Sequence, residues 1–191
     1  MSPNDVNEDT DATSQPPKRL SNIEARRNCY LAMPRILRNV SSHLTYRKTP
    51  LVSVRRALPL TILVTDLDAD TVRNMFKSLL QGLSDYSMDE RGDVGSWIRI
   101  ACIEGLASFL DTLITRAHDI PNFEGYLPPE YFHAAIGGIL KQGVERLDGV
   151  RQEAGNRFQL LLQLSAPDIP SGDMWRIHSQ SLMQQLFLRC V

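Results

Sequence analysis

The residues best placed to do chemistry are Asp89, Glu90 and Asp93, which gather three carboxylates around Arg91. Carboxylates in such a cluster can hold a divalent cation or serve as general acid and base. However, an apolar helix begins directly after them at Val94, and a carboxylate at a helix start accepts the free N–H groups of the first turn. The position therefore favours helix capping by Asp93 and a structural arginine–aspartate link over metal binding or catalysis.

The chain lacks the other sequence patterns that catalysis or metal binding would need. It contains no Gly-x-x-x-x-Gly-Lys phosphate loop, no Gly-x-Ser-x-Gly elbow and no His-Glu-x-x-His pair. Its histidines are scattered, and Cys29, Cys102 and Cys190 show no Cys-x-x-Cys spacing. We therefore predict a protein that is not an enzyme and needs no metal or cofactor, with the cysteines as small core residues.

The helix that follows the charged cluster is predicted to run from Val94 to about Thr115 and is apolar on nearly every face. Such a helix needs cover from more than one side. Trp97 lies within it and is expected to pack between hairpins, so that Trp97→Ala would lower the free energy of unfolding by roughly 3–5 kcal/mol. An amphipathic helix capped by Asp70 and ending near Leu83 precedes it, and the two predict a hairpin.

Capping residues and prolines bound the remaining predicted helices. Ser21 and Glu24 have the spacing of a capping box that opens the first helix. Pro34 is predicted to end or kink that helix, because proline lacks the N–H that the helix interior needs. Residues 45–68 include a strand-like stretch without an obvious partner strand, and we interpret them as a short helix or an irregular packing segment.

Toward the end of the chain, proline and aspartate mark the start of further helices. Pro128 and Pro129 open one helix, since proline at the first position gives up only a donor that had no partner. Asp148 begins the next helix, and Asp173 is predicted to cap a last amphipathic one. The chain from Ser21 onward is therefore predicted to be all-α.

Length and composition are those of one globular domain. The chain has 191 residues, of which 42% are hydrophobic and 23% charged. No apolar run approaches the roughly 20 residues that cross a bilayer, and the first residues are acidic where a targeting signal would be basic. We therefore expect no membrane segment and a cytoplasmic protein.

Charge is distributed unevenly although the net charge is only −1. Residues 1–18 begin with an acidic stretch poor in apolar side chains, and we predict a disordered tail. Residues 18–56 carry ten bases against Glu24 alone. This basic segment is either a solvated face or a surface for an acidic partner, which we assign to Arg26, Arg27, Arg55 and Arg56. It lacks the interleaved aromatic residues of nucleic-acid platforms, so nucleic acid is the less favoured partner.

An internal repeat links three of the predicted helices. Each has an apolar residue followed by an arginine, then a small residue three positions after the arginine, and a large apolar residue four positions after the small one. The three instances are Ala25-Arg26, Cys29, Met33; Ile98-Arg99, Cys102, Leu106; and Val150-Arg151, Ala154, Phe158. The small and large residues share one helical face and favour close packing, with the arginine at the edge. The repeat predicts a HEAT- or armadillo-like α-solenoid of antiparallel helical hairpins, with an ordinary helical bundle as the alternative.

The predicted repeat domain spans residues 19–191. Its hairpins are expected at about 21–66, 70–116 and 128–166, followed by a final helix at 173–189.

The run from Asp85-Tyr86 through Asp89-Glu90-Arg91-Gly92-Asp93-Val94-Gly95-x-Trp97-Ile98-Arg99 closely resembles a signature of the tubulin-folding cofactor D family, in its carboxy-terminal region. Within it we take Asp89, Arg91, Asp93, Trp97 and Arg99 as structural signature residues. The segments Ala25–Pro34 and Arg151–Leu162 resemble the flanking parts of that family.

This resemblance implies an all-helical HEAT and armadillo chaperone that binds β-tubulin. It also implies that the protein acts together with tubulin-folding cofactors C and E and an Arf-like small GTPase to assemble or dissociate the αβ-tubulin dimer. Any GTPase activation would act on tubulin and be shared with those cofactors, and the location would be cytoplasmic or cytoskeletal. The alternative is a generic HEAT-repeat scaffold that contacts nucleic acid through residues 18–56.

Overall fold

A computed structural model describes residues 22–46 and 68–187. Their helices are α1 (Ile23–Tyr46), α2 (Ala69–Gly82), α3 (Gly95–Thr115), α4 (Phe123–Tyr126), α5 (Pro129–Gln142), α6 (Asp148–Leu161) and α7 (Gln180–Phe187). Two short strands, β1 (Met88–Asp89) and β2 (Gly92–Asp93), precede α3. The prediction of an all-α fold is confirmed. The predicted acidic tail and nearly all of the segment 45–68 lie outside the described residues.

The helices form two layers built from consecutive hairpins. α2 and α3 make one hairpin, and α5 and α6 make the next. The hairpins stack so that α2 packs on α5 and α3 packs on α6, while α1 covers the other side of α3. Each hairpin thus buries its apolar face against its neighbours, which is the packing of an α-solenoid.

Helix α3 is the centre of the core, as its apolar sequence requires. Ile98, Ile103, Leu106 and Leu110 are completely buried, and so is Phe109, which meets Phe76 of α2 edge to face at 5.8 Å between ring centroids. Because α1, α2 and α6 each cover part of its circumference, α3 has almost no polar face of its own.

The predicted end of the first helix at Pro34 is wrong, because α1 continues through this residue to Tyr46. A proline inside a helix removes the donor for the carbonyl four residues earlier, here that of Tyr30. The Tyr30 carbonyl lies against α3 at Gly105, where an added Cβ would be 3.6 Å from the oxygen. Packing of α1 on the buried α3 therefore outweighs the local cost of the proline.

Two predicted helix starts are also wrong. Asp68, not Asp70, caps α2, since its side chain accepts a hydrogen bond from the Thr71 N–H at 2.6 Å. Asp173 does not cap the last helix, which begins only at Gln180. Asp173 lies in a short 3-10 helix, Gly172–Trp175, whose buried Trp175 donates from Nε1 to the Leu127 carbonyl at 2.9 Å. The chain between this 3-10 helix and α7 is not helical.

Within the part of the chain that the structure describes, no helix combines the length and the apolar character that a bilayer crossing requires.

Candidate interaction surface around residues 85–100

The charged cluster folds into a small antiparallel ribbon before α3. Met88 pairs with Asp93 and Asp89 with Gly92, and Gly92 takes a φ of +102°, which favours glycine. The Asp89 carboxylate accepts from the Arg91 backbone N–H at 2.8 Å and from the Arg91 Nη2 at 2.7 Å. Asp89 is thus engaged in the arginine–aspartate link that the capping interpretation predicts.

Asp93 joins the start of α3 to a buried arginine. Its Oδ1 accepts from the Ser96 N–H at 3.0 Å, and its Oδ2 accepts from the Arg99 Nη2 at 2.9 Å. Arg99 is completely buried, donates from Nη1 to the Asp85 carbonyl at 2.7 Å and lies 4.2 Å from the centre of the Tyr86 ring. The prediction that this arginine lies at the edge of its helix is therefore wrong, because the loop before α3 folds over it.

Asp85 connects this network to α1. Its Oδ1 accepts from the Ser87 N–H at 3.0 Å and its Oδ2 accepts from Arg26 of α1. On the other side, the Tyr86 hydroxyl donates to Glu145 at 2.5 Å, in the loop between α5 and α6. The loop between α2 and α3 therefore contacts α1 and both stacked hairpins through Asp85 and Tyr86. The structural role of the five signature residues stays a prediction.

Buried polar contacts lower the pKa of Asp85 below its ordinary value. Burial alone would raise the pKa of this carboxyl, but hydrogen bonds from Ser87 and the ion pair with Arg26 outweigh it. A carboxyl with a lowered pKa in the folded state adds stability above its unfolded pKa, about 4, and that stability is lost as the pH falls through the folded value.

Replacing Arg26 by Met should therefore lower stability more at pH 7 than near pH 2, because the ion pair with Asp85 contributes only while the carboxyl is ionised. Urea unfolding of both proteins at the two pH values measures the difference. An equal loss at both would mean that packing of the Arg26 side chain, and not its charge, stabilises this contact.

The cysteines divide by location. Cys102 is buried against Gly82, and burial raises the pKa of its thiol to about 12, so it stays protonated and unreactive. Cys102 confirms the prediction of a core residue, whereas Cys29 is exposed and that prediction is wrong. Cys190 lies outside the described residues.

The four arginines predicted to bind a partner have different environments. Arg26 pairs with Asp85, while Arg27 is exposed on α1 and makes no ion pair with any residue in ranges 22–46 and 68–187. Arg55 and Arg56 lie outside the described residues. The role of these four arginines in partner binding stays a prediction. Of the two that the structure describes, Arg27 is the better placed to meet a partner.

Trp97 does not pack between hairpins, so that prediction is wrong. Its side chain is 37% exposed, and the Arg91 guanidinium lies 5.0 Å from the ring centre. Trp97 shares one stripe of α3 with Glu104 and Asp111, at intervals of seven residues, and this spacing is the signal that could have placed it on the solvent side.

Trp97 forms one wall of an open cleft between α1 and α3, which we call the Trp97 cleft. Its volume is about 480 Å³, and its lining residues are Glu24, Arg27, Asn28, Trp97 and Ile100. Sequence reasoning missed Asn28 and Ile100, because the cleft exists only where α1 crosses α3.

Trp97→Ala should lower the free energy of unfolding by about 1–2 kcal/mol, less than for a fully buried tryptophan, because part of the ring is already exposed. Thermal unfolding of the variant beside the parent chain measures this loss. A loss of several kcal/mol would show that the indole contributes to the core after all.

Comparison with known proteins gives matches to tubulin-folding cofactor D. The family model for "Tubulin folding cofactor D C terminal" matches residues 133–190. Tubulin-folding cofactor D of Schizosaccharomyces pombe is 30% identical over 112 residues, which cover 58% of this chain and 9% of that protein. The chain thus corresponds to a small part of the relative's length. No solved structure matches.

The family match begins within α5, extends through α6 and α7, and lies well after the signature at residues 85–99, so it adds a second region of similarity. The signature, the family match and the similarity to the S. pombe protein together confirm that this chain resembles the carboxy-terminal region of tubulin-folding cofactor D.

Proposed function

We propose that this chain is a binding segment of a tubulin-folding cofactor and is not an enzyme. It binds β-tubulin and, with cofactors C and E and an Arf-like small GTPase, helps to assemble or dissociate the αβ-tubulin dimer. The similarity to tubulin-folding cofactor D carries this proposal. We place its action in the cytoplasm, at the cytoskeleton.

The hydrogen bonds and ion pairs of the charged residues support a binding role rather than catalysis. The carboxylates of Asp85, Asp89 and Asp93 are all engaged by arginines or by backbone N–H groups of their own loop. Such engaged groups are poor proton donors or acceptors for a substrate. In this proposal, any GTP hydrolysis takes place on tubulin, and the chain contributes surface and orientation to the complex.

The first experiment measures capture of purified αβ-tubulin by the immobilised full chain, at low and moderate salt, beside duplex DNA and RNA. We expect capture of tubulin at both salt concentrations. Steeply salt-dependent capture of nucleic acid without tubulin would instead support the alternative scaffold. Absence of tubulin capture at low salt would contradict the proposed function.

The combined variant Arg27→Glu/Arg55→Glu/Arg56→Glu should weaken tubulin capture at least about tenfold, because complementary charge speeds encounter and fixes orientation. Arg26 stays unchanged in this variant, since a glutamate there would oppose Asp85 and disturb the fold. Equal capture by variant and parent chain would remove the basic segment from the proposed binding surface.

A further inference from the structure

We propose that the Trp97 cleft is the docking site for the tubulin partner. Its occupant is a segment of tubulin in which a carboxylate stands beside an apolar side chain. This inference rests on the proposed function and adds to it the surface and the chemistry of recognition.

The apolar wall of the cleft is suited to an apolar side chain. Trp97 and Ile100 lie three residues apart on α3 and therefore share one face of the helix. Ile100 is half-buried and Trp97 is 37% exposed, so both can lose further surface to a partner. Tryptophan is also among the residues that contribute most to binding energy at protein interfaces.

The indole is held in place before any partner arrives. Arg91 lies over its ring at 5.0 Å, and Asp89 fixes Arg91 through hydrogen bonds at 2.7 and 3.1 Å. A cation over an aromatic face is attracted to it, so this contact restrains the ring on one side. A restrained side chain loses less conformational entropy on binding, which favours Trp97 as an anchor.

The charges of the cleft favour an acidic occupant. Its lining includes one anion, Glu24, and one cation, Arg27. The carboxylate of Glu24 lies 3.9 Å from Arg91, which also pairs with Asp89 at 2.7 Å, so these two carboxylates share one guanidinium. Arg27 has no ion-pair partner among the residues that the structure describes, which leaves a positive charge for a carboxylate of the incoming segment.

The dimensions and remaining polar group of the cleft agree with a peptide segment. A volume of about 480 Å³ is enough for a few side chains. Asn28 presents an amide that can both donate to and accept from a peptide backbone. The cleft thus offers an apolar contact, a cation and an adaptable hydrogen-bonding group within one turn of each helix.

The test is the Kd of the full chain for αβ-tubulin, measured with Trp97→Ala, Arg27→Glu and Trp97→Phe. We expect the first two to raise Kd at least about tenfold, which corresponds to about 1.4 kcal/mol. Trp97→Phe keeps an aromatic wall and should stay within about threefold. Each variant's melting temperature is measured in parallel, and values near that of the parent chain show that the fold is intact.

Two control variants match these changes outside the cleft. Arg35→Glu makes the same charge reversal at an exposed position on α1, and Leu160→Ser removes an apolar side chain that is 54% exposed on α6. Both should leave Kd within about twofold, because neither residue lines the Trp97 cleft.

The outcomes separate the two proposals. If the parent chain does not bind tubulin, the proposed function fails and the docking site fails with it. If the parent chain binds and Trp97→Ala and Arg27→Glu bind equally well, the function stands and the Trp97 cleft is overturned. If Arg35→Glu weakens binding as much as Arg27→Glu, general charge attraction replaces the specific site, which also overturns the inference.

Discussion

Replacing Arg99 by Met should lower the free energy of unfolding by about 3–5 kcal/mol, because it removes one partner of a buried ion pair. The Arg99 guanidinium is completely buried and donates to Asp93 and to the Asp85 carbonyl. Without it, both acceptors lose a charged donor, and the Asp93 side chain, only 22% exposed, can recover just part of that loss from water. Urea unfolding at pH 7 measures the loss.

A double-mutant cycle with Asp93→Asn separates the ion pair from the packing of the arginine stem. The two changes should be strongly non-additive, because either one alone breaks the same interaction. Arg91→Met is the matched control, since Arg91 pairs with Asp89 on the surface, and its unfolding midpoint should stay near that of the parent chain. A loss under about 1 kcal/mol for Arg99→Met would contradict the role given to this network.

Gly95→Ala is expected to have the next largest effect, a loss of about 1–3 kcal/mol or more. An added Cβ would lie 2.4 Å from the Asp85 carbonyl oxygen and 2.6 Å from the Ser87 nitrogen. Both are backbone atoms of the loop that covers Arg99, so neither can rotate away. The Gly95 N–H also donates to the Ser87 carbonyl at 2.9 Å, and this hydrogen bond would be displaced.

Gly137→Ala provides a control of the opposite sign. Gly137 lies inside α5 with no atom within 4 Å of its added Cβ. Alanine there should raise stability by up to about 1 kcal/mol, because it favours the helix more than glycine does. Equal effects of the two substitutions in thermal unfolding would show that the close approach at Gly95 does not exist in solution.

The sequence predicts those elements of the fold that depend on residues close to one another in the chain. The apolar run of α3 requires cover from several sides, and the paired prolines at Pro128 and Pro129 set the start of α5. The Asp89–Arg91 link lies within three residues and is visible from the sequence. The family resemblance also rests on such a local run of residues.

Contacts between distant segments explain what the sequence could not predict. α1 continues through Pro34 because it packs on α3, and Arg99 is buried because the loop from Asp85 folds back over it. Trp97 was expected inside because tryptophan usually lies there, yet its stripe of α3 faces solvent. The Trp97 cleft combines residues about 70 positions apart, and no local pattern indicates such a pairing.

The most direct test of tubulin docking in the Trp97 cleft is oxidative footprinting of side chains, with and without saturating αβ-tubulin. Trp97 is 37% exposed, and Met174, at 46%, serves as an internal reference outside the cleft. We predict that tubulin lowers the rate of Trp97 oxidation several-fold and leaves Met174 unchanged. Unchanged oxidation of Trp97 in the saturated complex would contradict the account.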